Sequence, residues 1–432
     1  MARLRDVLTT RGRAFIAAGL TLAAAGWGLG FPDISRVGVL LVVLPLVTGL
    51  LARRQPAELE VDRSILPSRV SVDDPATVTV VMTNAGRRRT PVLLAKEELD
   101  PVLGDRPRFL LAAMGVGDRR QVRYAVRSPL RGRHRLGPLT LEQRDPFGLS
   151  HRFAQIGETA DIVVLPRIEA LGGGRPPGNG VGAEGEIPHM VALHGEDDQS
   201  IRDYRDGDDL RRIHWPATAR TGDLMVRQED RPARRRAIVL LDPRADAHRG
   251  SGAGSSFEWA VSAVASVIAH LDGLGYAVHL LSAETVHDGQ AATTTDRQQA
   301  LDVLAEAATG PEPELAELVR AAHPVTATGG LVVAVVADRD EEVLRQVASL
   351  RQPGGTGLAL VLETATFGGS GHTRGSGATG TAQPADAFVE MLQLAGWTAR
   401  PVRAGEPVAE AWESMTAHGR HGQHAHHGAL VR

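Results

Sequence analysis

The sequence predicts a multidomain protein built from an N-terminal transmembrane helical hairpin, a β-sandwich module and an α/β domain on a parallel, doubly wound sheet. Three observations predict it. Two uncharged apolar runs open the chain, short alternating stretches bounded by turn residues follow, and continuous apolar strands alternate with helices in the last part. The 432 residues allow two or three domains, and a hydrophobic content of 43% is enough to bury their cores. With 48 basic and 51 acidic residues the net charge is -3, so nucleic acid is not indicated as a partner. The absence of cysteine excludes disulfides, thiolate metal sites and cysteine nucleophiles, and it fits a reducing compartment.

The hairpin is read over residues 1–54. Residues 14–30, AFIAAGLTLAAAGWGLG, and 37–51, VGVLLVVLPLVTGLL, are separated by a few residues around Phe31, Pro32 and Asp33. Each is slightly short of the roughly 20 residues that span a bilayer, and flanking apolar residues extend both. Arg3, Arg5, Arg11 and Arg13 precede the first run, and Arg53 and Arg54 follow the second. The positive-inside bias then puts both ends, and the remainder of the chain, in the cytoplasm. A secretory leader is the rival reading of the first run. A second apolar run ending on a double arginine fits a hairpin better.

The sandwich is read over residues 55–170 from ELEVDRSI, ATVTVVMTNAG, RRQVRYAVRSPLRGRHRLGPLTLEQ and ADIVVLPRI. Val78, Val80 and Met82 alternate with Thr77, Thr79 and Val81, while Asn84-Ala85-Gly86 and Arg131-Gly132 supply turns. An immunoglobulin-like sandwich satisfies this pattern. Arg87 to Arg89 read as a solvated turn. A glycine- and proline-rich linker is expected over 171–194.

The α/β domain is read over residues 235–415. Strands RRAIVLLD, YAVHLLSA, LVVAVVAD, GLALVLET and TARPVRAG alternate with amphipathic helices, beginning with FEWAVSAVASVIAHLDGLG. Ligands on such sheets sit beyond the carboxyl ends of the strands, and here two strands end on Asp242 and Asp338. Carboxylates there suit Mg²⁺. No glycine-rich phosphate loop of the Rossmann or P-loop kind is recognised after the first strand. The tail, 416–432, holds His418, His421, His424, His426 and His427 without regular spacing and is expected to be disordered.

Between linker and sheet lies a segment, 195–234, with YRDGDDLRRIHWPATARTGDLMVR at its centre. Asp206-Gly207 is a turn signal, and Asp208 can cap a short helix carrying Arg211, Arg212 and His214. Pro216 ends that turn or restarts it. Thr221-Gly222-Asp223 is a second turn, and LMVRQED a strand. His214 with Asp208 or Asp209 could act as a base, with Arg211, Arg212 or Arg220 holding an anion. Adjacent acids and arginines more often fix a polar segment against a neighbour, and tryptophan with arginine is the pairing most enriched at interface hot spots. The segment is therefore read as an interaction element of Tyr204, Asp208, Arg211, Arg212, His214, Trp215, Arg220 and Arg227, with no catalytic residue assigned. A core role for Trp215 is the alternative.

The same segment is similar to the signature of the bacterial "domain of unknown function 58" family, with like residues at Tyr204, Gly207, Asp208, Arg212, Ile213, His214, Trp215, Ala219, Arg220, Leu224, Val226 and Arg227. Pro216 departs from it, a lysine being usual there. RGRHRLGPLTLEQRDPFGL, residues 131–149, is similar to a segment of that family's sandwich module. The sheet resembles the von Willebrand factor A domain, whose metal site uses an Asp-x-Ser-x-Ser run after the first strand and a later aspartate. Here the run is Asp242-Pro243-Arg244-Ala245-Asp246, with both serines replaced. Two readings follow: a degenerate Mg²⁺ site of Asp242, Asp246 and Asp338, or a vestigial one with Asp242 paired to Arg244.

What the family resemblance implies is a membrane-held adaptor. Its members are typically encoded beside MoxR-type AAA+ ATPases and sometimes beside transglutaminase-like membrane proteins. The expectation is a scaffold, not an enzyme, whose partners are such an ATPase, in some cases a transglutaminase-like protein, and membrane lipid. The alternatives are a metal-assisted hydrolase using His214 and a metal-dependent ligand-binding protein.

Overall fold

A computed structural model describes residues 8–54, 58–172, 200–204, 213, 215–228, 235–310, 315–327, 329–368 and 385–426. The chain divides into two compact units, Met1–Arg167 and Ile168–Arg432.

The first unit opens with helices α1 (Thr10–Gly28) and α2 (Pro32–Arg54). Thr9 caps α1 by accepting from the Gly12 amide, and Gly30, at φ 75°, turns the chain between the helices. The two pack backbone to backbone on glycine. A Cβ on Gly38 would lie 2.4 Å from the Ala23 nitrogen, and one on Gly19 2.7 Å from the Gly38 oxygen. The expected pair of spans is narrowed, however. Among the described residues only Pro32–Leu50 is long and apolar enough to cross a membrane, with mean hydropathy 1.8. Helix α1 begins early enough to include Arg11 and Arg13, and its glycines dilute the rest.

The sandwich follows as β1 (Leu59–Leu66), β2 (Arg69–Ser71), β3 (Ala76–Asn84), β4 (Leu93–Leu99), β5 (Arg108–Leu111), β6 (Arg119–Val126), β7 (Gly132–Arg144), β8 (His151–Ile156) and β9 (Ala160–Leu165). One sheet has the order β1-β3-β6. The other has the order β2-β9-β7-β4-β5, with β8 also on β7. All pairings are antiparallel except β2 with β9. The alternation of β3 buries Ala76, Val78, Val80 and Met82, which share one core with Ala95, Leu139, Leu141 and Ile162 of the facing sheet.

A polar pair crosses this core. Arg63 of β1 has Nη2 2.5 Å from Oε1 of Glu97 on β4, with both side chains buried, although neither atom is aligned as a hydrogen bond. Burial raises the Glu97 pKa, outweighing the Arg63 charge that lowers it. Gly137, at φ 87°, makes room for the guanidinium, because a Cβ there would sit 2.8 Å from its nitrogens. Strand β4 lacks a sequence signal for this reason: its buried positions include a glutamate.

In the second unit, β10 (Ser200–Asp203) pairs antiparallel with β11 (Met225–Gln228), and α3 (Trp215–Thr221) lies between them in sequence. The α/β part runs β12 (Arg236–Leu241), α4 (Ser256–Gly273), β13 (Ala277–Leu281), α5 (Ala283–His287), α6 (Arg297–Glu306), α7 (Leu315–Thr326), β14 (Leu331–Ala337), α8 (Glu341–Ala348), β15 (Thr356–Leu362), α9 (Ala385–Leu394), β16 (Thr398–Val402) and α10 (Val408–His426). Its five strands are all parallel, in the order β13-β12-β14-β15-β16. Every residue of β14 is buried, as a sheet covered on both faces requires. Ile238, Leu240, Val332 and Ala334 pack with α7, α8 and α9. The alternate residues are left for the other face, where α4 packs on β12 and β14, and α10 on β16 and α4.

The C-terminal end differs from expectation. In place of a disordered tail from 416, α10 keeps the backbone helical to His426. The segment contains no proline, and its first turns are fixed by Trp412, which is fully buried. Replacing Trp412 by Ala is expected to lower the stability of the second unit by about 3–5 kcal/mol, the usual cost of emptying a large aromatic site. Denaturant unfolding of the full chain checks it, and a cost below about 1 kcal/mol would mean that α10 is not part of that core.

Candidate functional site

The strand order fixes where a site can form. Strand β12 has β13 on one side and β14 on the other. The connections leaving the carboxyl ends of β12 and β14 therefore part in opposite directions, which opens a crevice there. Asp242 and Asp338 follow those two strands.

Asp242 is fully buried, and a guanidinium from its own loop neutralises it. Its Oδ1 accepts from the Arg244 amide at 3.2 Å and from Nε at 2.9 Å, while Oδ2 accepts from Nη2 at 2.8 Å and from the Ala337 amide at 3.1 Å. The other side of the fork donates to the Arg339 carbonyl, from Nη1 at 3.2 Å and Nη2 at 3.3 Å. Burial pulls the Arg244 pKa down most strongly. The hydrogen bonds and charge of Asp242, backed by Asp340 and Asp246, outweigh it and hold the pKa above the ordinary arginine value.

Behind this pair, His248 Nε2 lies 2.9 Å from the Asp242 carbonyl oxygen, and Nδ1 lies 3.0 Å from Ser256 Oγ. A carbonyl can only accept, so Nε2 carries the proton, and in the neutral ring Nδ1 accepts from the serine hydroxyl. Burial holds the His248 pKa below its usual value, against the Asp242 charge and carbonyl that raise it.

The three expected metal ligands do not converge. Asp338 turns to the next strand connection, where its Oδ1 accepts from Thr364 N at 3.0 Å and from Thr364 Oγ1 at 2.5 Å. Asp246 is exposed and acts on Arg244 through charge alone. No group of three acidic or imidazole side chains able to hold a metal ion occurs among the described residues. The pairing of Asp242 with Arg244 is the arrangement found, and its cation is covalently part of the chain.

Sequence reasoning passed over His248, Ser256 and the run Gly250-Ser251-Gly252-Ala253-Gly254 that leads into α4. A local signal existed in Ser255-x-x-Glu258, since Ser255 caps α4 by accepting from the Glu258 amide at 3.1 Å.

The interaction segment is compact where it is described. The Tyr204 amide donates to the Leu224 carbonyl at 2.8 Å, Ile213 bridges to Val226, and the Met225 amide donates to Thr218 Oγ1 at 3.0 Å. Gly222, at φ 85°, makes the expected second turn. Pro216 restarts a helix: α3 begins at Trp215, and the first turn has no use for a proline N–H. Trp215 is 66% exposed, so it is not a core tryptophan. Arg220 is exposed and Tyr204 half-buried. Arg227 lies on β11. Asp208, Arg211, Arg212 and His214 lie outside the described residues.

Comparison with known proteins gives a family match over part of the chain. The family described as "Protein of unknown function DUF58" matches residues 200–349, from β10 into the α/β sheet. No curated protein matches significantly. Among solved structures, the chain is similar to the CARDB domain of a Pyrococcus furiosus protein, solved in complex with di-metal ions. The identity is 18%, the match covers 25% of this chain and 88% of that one, and the TM-score is 0.19. The putative ApaA protein from Bordetella pertussis matches at 15% identity over 26% of this chain and 96% of that one, with TM-score 0.20. A beta-glucosidase from Listeria innocua matches at 15% identity over 23% and 16%, with TM-score 0.13. No function is carried over from likenesses of this size.

Two outcomes are expected. Arg244→Ala leaves a buried carboxylate without its cation and should cost about 3–5 kcal/mol in denaturant unfolding, with Asp242→Asn in the same chain recovering part of it. His248 binds its proton less readily folded than unfolded, so its contribution to stability is present above the unfolded pKa near 6.5. That contribution is lost as pH falls from there through the lower folded pKa. His279, also lowered by burial, acts in the same direction. Thermal melts across pH 5 to 7.5 should show a decline on acidification that is shallower in His248→Gln, and an unchanged slope would remove His248 as a source.

Proposed function

We propose that the protein is a membrane-anchored, non-enzymatic adaptor that docks a MoxR-type AAA+ ATPase through its signature segment and α/β domain, in the assembly of a cell-envelope or protein complex. The observation that carries the reading is Trp215. A tryptophan 66% exposed on a short helix, held by a two-stranded ribbon and followed by the exposed Arg220, has the composition of an interface hot spot. The crevice supports the same view, because Arg244 already fills the place where a parallel sheet would receive a ligand. Asp242 then has a structural use that asks for no substrate.

The five parallel strands, with acids after β12 and β14, support a von Willebrand A-like domain whose metal position has been taken over by arginine. The two-sheet core of the first unit supports an immunoglobulin-like module. Anchoring is supported by the apolar surface that α1, α2 and the turn between them leave exposed, including Leu20, Trp27, Leu29, Phe31 and Leu40. Basic residues at both ends of the hairpin favour two spans with the soluble parts cytoplasmic. Membrane lipid, and in some settings a transglutaminase-like membrane protein, complete the partner set.

The test is co-purification. After mild solubilisation, the full chain should retain an AAA+ ATPase encoded beside it, and Trp215→Ala or Arg212→Ala should abolish retention while leaving the melting temperature in place. Failure of the unaltered chain to retain the ATPase would count against the adaptor role.

A further inference from the structure

We propose that the end of the sandwich nearest the helical hairpin is a docking surface for an anionic lipid bilayer, with Arg87, Arg88 and Arg89 meeting headgroups and Val116, Phe147 and Phe153 entering the interface. The inference rests on reading the hairpin as a membrane anchor.

Strand register gathers these residues. Leu59, just after α2, pairs with Asn84 at the end of β3, and Thr83 pairs with Arg119 at the start of β6. In the facing sheet, Leu93 at the start of β4 lies opposite Leu111 at the end of β5 and Gln143 near the end of β7. The connections 85–92, 112–118 and 145–150 therefore open at one end of the sandwich. Asn84, buried at that end, joins the first two by donating to the carbonyls of Arg88 at 2.8 Å, Met114 at 3.2 Å and Gly115 at 2.9 Å.

The third connection is bonded to the foot of the hairpin. Thr9 donates from its amide to the Leu149 carbonyl at 3.0 Å and from its hydroxyl to the Gly148 carbonyl at 2.7 Å, and Leu8 bridges to Ser150. Gly12 of α1 lies so close to the Leu149 carbonyl that a Cβ would meet its oxygen at 2.1 Å. Asp145 stiffens the same loop, accepting from the Phe147 amide at 2.7 Å and the Ser150 hydroxyl at 2.8 Å. Leu149 and Ser150 are thereby buried, while Phe147 stays 61% exposed.

Depth follows from these bonds. A bilayer that takes up the apolar length of α2 has its surface near the first turn of α1, where Arg11 and Arg13 also lie. Phe147 sits at that level, Phe153 is on the adjoining strand, and Val116, 63% exposed, tops a neighbouring loop. Aromatic and apolar side chains at headgroup depth, with a cluster of arginines beside them, are the composition that binds an anionic interface. The triplet that reads in sequence as a solvated turn thus acquires a partner.

The absence of cysteine makes the test direct. Leu40→Cys in α2, Phe147→Cys, Val116→Cys and Leu66→Cys each give one site for a nitroxide on the full chain, reconstituted in vesicles of phosphatidylcholine and phosphatidylglycerol. Leu66, at the opposite end of β1, reports water. Labels at 147 and 116 should be protected from a soluble nickel chelate relative to the label at 66. That protection should be lost in pure phosphatidylcholine and on changing Arg87, Arg88 and Arg89 together to Ser, while the label at 40 stays shielded. Labels at 147 and 116 as open as that at 66, beside a shielded label at 40, would overturn the docking surface and leave the anchor intact. A label at 40 open to the chelate would overturn the anchor and the surface with it. Protection that survives both the lipid change and the arginine change would overturn the role given to the triplet.

Discussion

A carboxylate taken out of water at the end of a central parallel strand has to be neutralised, because an isolated buried charge costs several kcal/mol. Asp242 is in that position, and the geometry around it follows from how the charge is met. Arg244, two residues on, folds back so that its amide, Nε and Nη2 all reach the same carboxylate. The remaining face of the guanidinium takes the Arg339 carbonyl and so binds the β12 loop to the turn that precedes α8. That turn contains Asp340 at φ 63°, which caps α8 and adds its charge to the field on Arg244. His248 and Ser256 extend the bonded network to the first turn of α4. One ion pair therefore fixes the two connections that border the crevice, at the strand ends where open parallel sheets in general receive ligands.

The sandwich meets the same constraint differently. Arg63 and Glu97 come from opposite sheets and face each other within the core, where Gly137 leaves the necessary space. Burial raises the pKa of the Tyr124 hydroxyl, with the Glu97 charge adding to the shift and Arg63 opposing it. In both units a buried arginine faces a carboxylate of its own unit. Arg220 on α3 and the triplet beside Asn84 are among the exposed basic groups. An exposed tryptophan accompanies the first and exposed apolar side chains the second, which is why both surfaces read as sites of association.

Much of the fold was legible because side-chain periodicity is a local property. The alternation of Val78, Val80 and Met82, the unbroken apolar run of β14 and the amphipathic α4 each report the burial of their own element. The Asp242–Arg244 pairing was legible as one of two options, since both residues stand in one short loop. What failed locally was β4, where Glu97 occupies a buried position and needs Arg63 from another sheet, and α10, where Trp412 supplies the anchor for a helix whose later residues are mostly small or polar. His248 escaped notice because a buried imidazole carries no sequence mark.

By itself the sequence determined which segments are apolar, which alternate, where turns fall and that two strands end in aspartate, since these depend on residue type and spacing alone. Only the tertiary structure decided which charges are met internally. It placed Arg244 on Asp242, turned Asp338 toward Thr364, left Trp215 in solvent and gathered three distant loops beside the hairpin. Those outcomes depend on strand order and register, and these bring together residues far apart in the chain whose types alone do not say whether they meet.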